Sequence, residues 1–303
     1  MKFKDTKYGD LTGQTYDGDI SVSYTNIDSL EGAPKIVKGS FDCSNNHLIS
    51  LEGAPKVVHG NFYCIENNLT TLEGAPTKIN GTFNCSINKL TDIKDAPKEV
   101  GGNFDCIENN LTTLTGCPEK VGGDFGCHKN KLTSLKGGPK EVGGNFDCSS
   151  NNLTNLEGCP KKIQEDFDGS FNSLTTLKGA PKEVGGYFDC SNNHLISLEG
   201  APKEVHGYFD CRYNNLITLK GAPKEVGEYF ECNNNNLITL KGAPKEVGEY
   251  FSCWGNPNEK LDKEWELRTE NPDMTDDEIK SKMYELTNDE NYLSKEVQDI
   301  FLF

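Results

Sequence analysis

Val142-Gly143-Gly144-Asn145-Phe146-Asp147-Cys148-Ser149-Ser150-Asn151-Asn152-Leu153-Thr154-Asn155-Leu156-Glu157-Gly158-Cys159-Pro160 is most of one period of a repeating chain. Val142, Gly144, Phe146 and Cys148 alternate with Gly143, Asn145 and Asp147, and this period of two predicts a strand with one buried face. Leu153 and Leu156 then point back inside. Gly158 and Pro160 predict an extended, turn-like reversal, because proline fixes φ and donates no hydrogen bond. Phe41, Phe62, Phe83, Phe104, Phe125, Phe146, Phe167, Phe188, Phe209, Phe230 and Phe251 stand 21 residues apart, without insertion or deletion. Two residues after each comes a cysteine, from Cys43 to Cys253, except where Gly169 takes the place. An asparagine follows three residues later in every copy, from Asn46 to Asn256, and a proline recurs from Pro34 to Pro244. Ile20, Val22, Thr25, Ile27 and Leu30 occupy the same frame one period earlier, as a degenerate first turn.

A period this short leaves no room for a full helix beside the strand, so the convex side is expected to be turns or polyproline-like pieces. Stacked in register, the units predict one parallel sheet of about twelve short strands, with turns ~4.8 Å apart and a rod roughly 55 Å long. A thin core of this kind suits a chain with only 34% hydrophobic residues. Phenylalanine stacks on phenylalanine and leucine on leucine, each buried side chain contributing roughly 1.5–3 kcal/mol.

Phe-x-Cys-x-x-Asn-x-Leu-x-x-Leu resembles the leucine-rich repeat, Leu-x-Leu-x-x-Asn-x-Leu. The short period and the Gly-Ala-Pro that follows resemble the bacterial subclass found in type III secreted effectors. Units such as Leu198-Glu199-Gly200-Ala201-Pro202-Lys203-Glu204-Val205 are similar to arrays encoded by large bacteriophages and some bacteria. The resemblance covers residues 20–256. It implies a leucine-rich-repeat solenoid whose asparagines hydrogen-bond the backbone of adjacent turns. For function it implies only binding, since one fold hosts many roles. The expected organisation is an N-terminal cap with the degenerate repeat (1–30), the tandem repeats (31–256) and a helical C-terminal cap (257–303). In the last part, Leu261 and Trp265 sit at helical spacing, and Thr275 is an N-cap before Asp276, Asp277 and Glu278. Ile279, Met283 and Leu286 form an apolar stripe, and a final amphipathic segment runs from Ser294 to Phe303.

The formal charge of −16 argues against direct binding to nucleic acid or an anionic membrane, both of which need a basic footprint. Met1–Asp10 carries three lysines and no apolar run, unlike a secretory signal, and no stretch of about 18 apolar residues suggests a membrane span. Each repeat cysteine takes the inward slot that leucine fills in the related repeats, and no Cys-x-x-Cys pair is present. Buried, reduced thiols are therefore expected, with no metal and no cofactor, and the cytoplasm is the expected compartment (the host's, if the chain is phage-encoded). His47, His59, His128, His194 and His206 are dispersed and lack a nucleophile partner. No enzyme is expected.

Information for recognition resides on the outward strand positions. The slot after each phenylalanine reads Asp42, Tyr63, Asn84, Asp105, Gly126, Asp147, Asp168, Asp189, Asp210, Glu231, Ser252. The slot before it reads Ser40, Asn61, Thr82, Asn103, Asp124, Asn145, Asp166, Tyr187, Tyr208, Tyr229, Tyr250. None of these is lysine or arginine, although the chain has 31 such residues; lysines occupy the turns, where they can pair with glutamates. Asp147, Asp168, Asp189, Asp210 and Glu231 set carboxylates in line, with Tyr187, Tyr208, Tyr229 and Tyr250 beside them and Arg212, Tyr213 and Trp254 flanking. Tyrosine, tryptophan and arginine are the side chains most enriched at interface hot spots. The expectation is a basic protein partner held across this acidic, tyrosine-lined face. Two further readings are an acidic mimic of nucleic acid that inhibits a host DNA-binding or defence enzyme, and a virion or assembly component. Repeat duplication alone would also copy Asp and Tyr along the chain.

Overall fold

A computed structural model describes residues 1–287 and Tyr292. The chain is a stack of short parallel strands, and the expected sheet is present. It has twelve two-residue strands, from Ile20–Ser21 to Phe251–Ser252, each paired with the same residues one turn away. Phe146 N–H donates to Asp166 O at 2.8 Å and Cys148 N–H to Asp168 O at 2.9 Å, and this pattern repeats along the rod.

The structure adds a second line of pairing. The seven-residue strand expected from Val142 to Cys148 is interrupted: Glu141–Val142 and Phe146–Asp147 are separate strands, with Gly143-Gly144-Asn145 bending between them. The alternation of burial survives the bend, which is why periodicity alone did not reveal it. The valine-bearing strands stack into a seven-stranded sheet ending at Glu141–Val142 and a five-stranded sheet beginning at Lys162–Ile163. At Gly143 an added Cβ would overlap the Gly122 carbonyl oxygen, so glycine lets successive bends nest. The seam falls where Gln164 and Glu165 replace both glycines.

Inside, the phenylalanine rings form one continuous pile from Phe41 to Phe251, with neighbouring centroids 4.8–6.0 Å apart. Eleven cysteines and the leucine or isoleucine positions that follow the asparagines share this core. The asparagine column is satisfied completely. Asn151 Nδ2 donates to Cys127 O, Cys148 O and Ser149 O, while its Oδ1 accepts Leu132 N–H at 2.9 Å. Lysines and glutamates pair between turns, as Lys140 with Glu119 and Lys162 with Glu183, both at 3.0 Å.

Both ends are covered by substitutes for a missing turn. Phe3, from a short 3-10 turn (Phe3–Asp5), stacks toward Phe41 at 6.1 Å. At the other end α1 (Leu261–Glu270) lays Trp265 on Phe251 at 4.0 Å. Buried Glu264 Oε1 accepts the N–H of Leu240 at 3.0 Å. In interior turns that donor bonds a carbonyl of the next turn, as Leu219 N–H does to Lys241 O. Helix α2 (Asp276–Thr287) begins with Thr275 and Glu278 capping each other, and buries Ile279 and Met283. Leu286, expected in the same stripe, is exposed. The segment from Ser294 to Phe303 lies outside the described residues.

Candidate interaction face

Phenylalanine points inward, so its two neighbours in each turn face out, and stacking turns them into two parallel columns. The residue three after each phenylalanine forms a third column. The next residue is held in the left-handed region in every turn, as in Phe171 (φ 51°) and Tyr213 (φ 53°).

The column before phenylalanine changes character at Tyr187. Up to that point, side-chain oxygens from Ser40 to Asp166 each accept the N–H of the equivalent residue one turn on, at 2.8–3.2 Å. Tyrosine cannot reach that donor, and ring stacking takes over. Tyr187 and Tyr208 stack at 4.5 Å with an interplanar angle of 8°, and Tyr229 and Tyr250 approach at 4.5 Å with a tilt of 32°. The four rings thus form two pairs. The first pair lies over the carboxylates: burial, then Asp168, pushes the Tyr187 hydroxyl up to about 12, and burial, then Tyr187, raises Tyr208. In the second pair Tyr250 donates to Glu231 Oε1 at 3.3 Å, whereas Tyr229 is raised by hydrogen bonding to Glu249.

The acidic column is present in line but is not a row of free charges. Asp147, Asp168, Asp189 and Asp210 each use Oδ1 to accept the N–H two residues ahead, from Ser149, Ser170, Ser191 and Arg212, at 2.8–2.9 Å. Asn84 does the same for Ser86. Aspartate therefore has a local structural task here, closing a turn. Asp210 was expected to face solvent and is instead 1% exposed, covered by Arg212, whose Nε and Nη2 reach Asp210 Oδ2 at 2.9 and 2.6 Å. Arg212 Nε also lies 3.4 Å from Glu231 Oε2. Asp147 Oδ2 stands 2.8 Å from His128 Nδ1, which raises the imidazole toward its charged form and holds the carboxyl below its usual range despite burial.

Asp168 and Asp189 have no cation partner among the described residues. Burial raises Asp168, and burial followed by the Asp210 charge pushes Asp189 up to about 7. Tyr213 and Trp254 are exposed at 51% and 60%, and Phe171, which sequence reasoning passed over, at 61%. His128 was dismissed as dispersed, yet it belongs to the same column as Arg212. Their numbers differ by a multiple of the 21-residue period, and that was the available signal.

Burial holds the cysteines toward the neutral thiol form. Burial raises every thiol, and most donate Sγ–H to a carbonyl of the next turn, as Cys148 does to Asp168 O. No helix among the described residues is long and apolar enough to cross a membrane.

The satisfied asparagine column and the in-register parallel strands define a leucine-rich-repeat solenoid. No protein-family model matches the chain, and no curated protein is similar to it. Among solved structures, YopM from Yersinia enterocolitica WA-314 is similar at 20% identity and a TM-score of 0.47, over 79% of this chain and 60% of that one. YopM of Yersinia pestis, described as a leucine-rich effector protein, is similar at 18% identity and a TM-score of 0.44, over 79% of this chain and 78% of that one. The chain spans less than two thirds of the first of these.

Proposed function

We propose that the chain is a non-catalytic scaffold that holds a basic segment of a partner protein across the sheet face of its C-terminal half. The observation that carries this is the partition of charge. The two outward columns contain no lysine or arginine over eleven turns, while lysines outside them pair with glutamates of neighbouring turns. Within the acidic stretch, stacked Tyr187 and Tyr208, together with Tyr229, Tyr250, Tyr213 and Trp254, offer rigid aromatic surface for packing and cation–π contact. Reduced thiols fit a cytoplasmic setting, and the resemblance to phage-encoded arrays makes a host or viral protein the partner to seek. Mimicry of nucleic acid is the weaker reading. Duplex DNA carries a charge per ~1.7 Å, against one carboxylate per turn here, and Arg212 neutralises part of the column.

Replacing Tyr187, Tyr208, Tyr229 and Tyr250 with serine is expected to abolish capture of the partner from host lysate while barely moving the melting temperature. Ser40 shows why stability is kept: a serine in this slot accepts the next turn's N–H, at 3.1 Å from Asn61 N. Undiminished capture by that variant would refute the proposal.

A further inference from the structure

The column three residues after phenylalanine runs beside the carboxylates, and it supplies the side-chain nitrogens that meet them. His128 reaches Asp147, and Arg212 bridges Asp210 and Glu231. Between them the column reads Ser149, Ser170, Ser191, and the carboxylates facing this gap, Asp168 and Asp189, are uncompensated among the described residues.

The turn at Ser170 shares two features with the turn at Arg212 and lacks its cation, with Gly169 in the place of Cys211. Arg212 is followed by exposed Tyr213 in a left-handed conformation; Ser170 is followed by exposed Phe171 in the same conformation. Asp210 caps Arg212 N–H as Asp168 caps Ser170 N–H, both at 2.9 Å. On the far side the step is walled by the stacked Tyr187 and Tyr208 rings. A serine stands where the longer Arg212 side chain stands two turns later, and its hydroxyl donates to Asp168 Oδ1 at 2.6 Å.

We propose that an arginine side chain of the partner protein seats over Ser170 and bridges Asp168 and Asp189, as Arg212 bridges Asp210 and Glu231. This rests on the scaffold reading above and names its anchor. Arginine fits where lysine does not, because the bond observed at Asp210 uses two nitrogens of one planar fork, and such a plane also packs against aromatic faces. Burial raises both carboxyls, and with the Asp210 charge it pushes Asp189 up to about 7, so an arriving guanidinium releases proton from Asp189 near neutral pH.

The test uses the full chain with tetra-arginine and tetra-lysine peptides as probes in titration calorimetry. Tetra-arginine is expected to bind the native chain more tightly than tetra-lysine, with heat at pH 7 that varies with buffer ionisation. Ser170→Arg fills the position from within, and is expected to weaken tetra-arginine binding about tenfold or more and to remove the buffer dependence. The pair Asp168→Asn with Asp189→Asn keeps the turn-closing oxygens and is expected to do the same, which covers a folding failure of the first variant. Undiminished tetra-arginine binding by both variants, no preference for arginine, or no binding by the native chain would overturn the proposal. If both variants bind normally and the tyrosine-to-serine chain does not, the scaffold face stands and its arginine anchor falls. If the tyrosine variant alone binds normally, the anchor stands without the tyrosines.

Discussion

Asn151 has no polar atom left over, and its neighbour Asn152 is exposed, so two adjacent asparagines separate structural from surface chemistry. Asn151→Ala would leave Leu132 N–H and the Cys127 and Cys148 carbonyls buried with fewer partners. It is expected to lower unfolding free energy by about 2–4 kcal/mol in urea titrations, whereas Asn152→Ala stays within about 0.5 kcal/mol. Asp189 has a different signature. It faces Asp168, Asp210, Arg212 and the Tyr187 and Tyr208 hydroxyls, and titrates near 7, against about 4 in an unfolded chain. Between those values the folded state binds more protons. Its contribution therefore favours folding at low pH, declines as pH rises from about 4 to about 7, and is constant above. Asp189→Asn is expected to shrink the fall in melting temperature between pH 5 and pH 8. An unchanged fall would assign it to other groups. The inward residues were readable from the repeat, because burial follows alternation. The state of each carboxylate was not, since Arg212 folding back over Asp210 is a rotamer choice that no period encodes.

At the scale of elements, the repeat identified the strand at phenylalanine and missed its partner at valine. The bend at Gly143 and Gly144 preserves which residues face inward, so a pattern of alternate burial is the same for one bent segment as for one straight strand. The cap shows the opposite case. Helix α1 has no counterpart in the repeat, yet its amphipathic spacing announced it, and Glu264 and Trp265 complete the hydrogen bonds and ring pile that an absent turn would have made. Glu264 Oε1 also takes Arg268 Nε and Nη2 at 3.0 and 2.8 Å. Glu264→Ala removes one member of a buried pair and is expected to cost roughly 3 kcal/mol. Because turns contact only their neighbours, the damage should be local. Amide exchange should accelerate at Leu240 and stay unchanged at Leu132, and uniform acceleration along the rod would contradict nearest-neighbour coupling.

Across the whole molecule, chemistry is sorted by side. Lysine–glutamate pairs link neighbouring turns, neutral thiols and rings fill the interior, and carboxylates and tyrosines share the open face. The solenoid was legible because eleven copies state the same instruction. The face was legible only as columns, and what the repeat did not convey are the exceptions within them, His128, Phe171 and Arg212. These exceptions also carry a metric. Every turn adds the same rise, so the four turns from His128 to Arg212 span ~19 Å. Gain or loss of one unit between them would keep each column continuous and alter only how many carboxylates stand unguarded. Tandem duplication thereby equips the chain with a caliper: its jaws are two side chains, and its opening is set by counting rather than by reshaping.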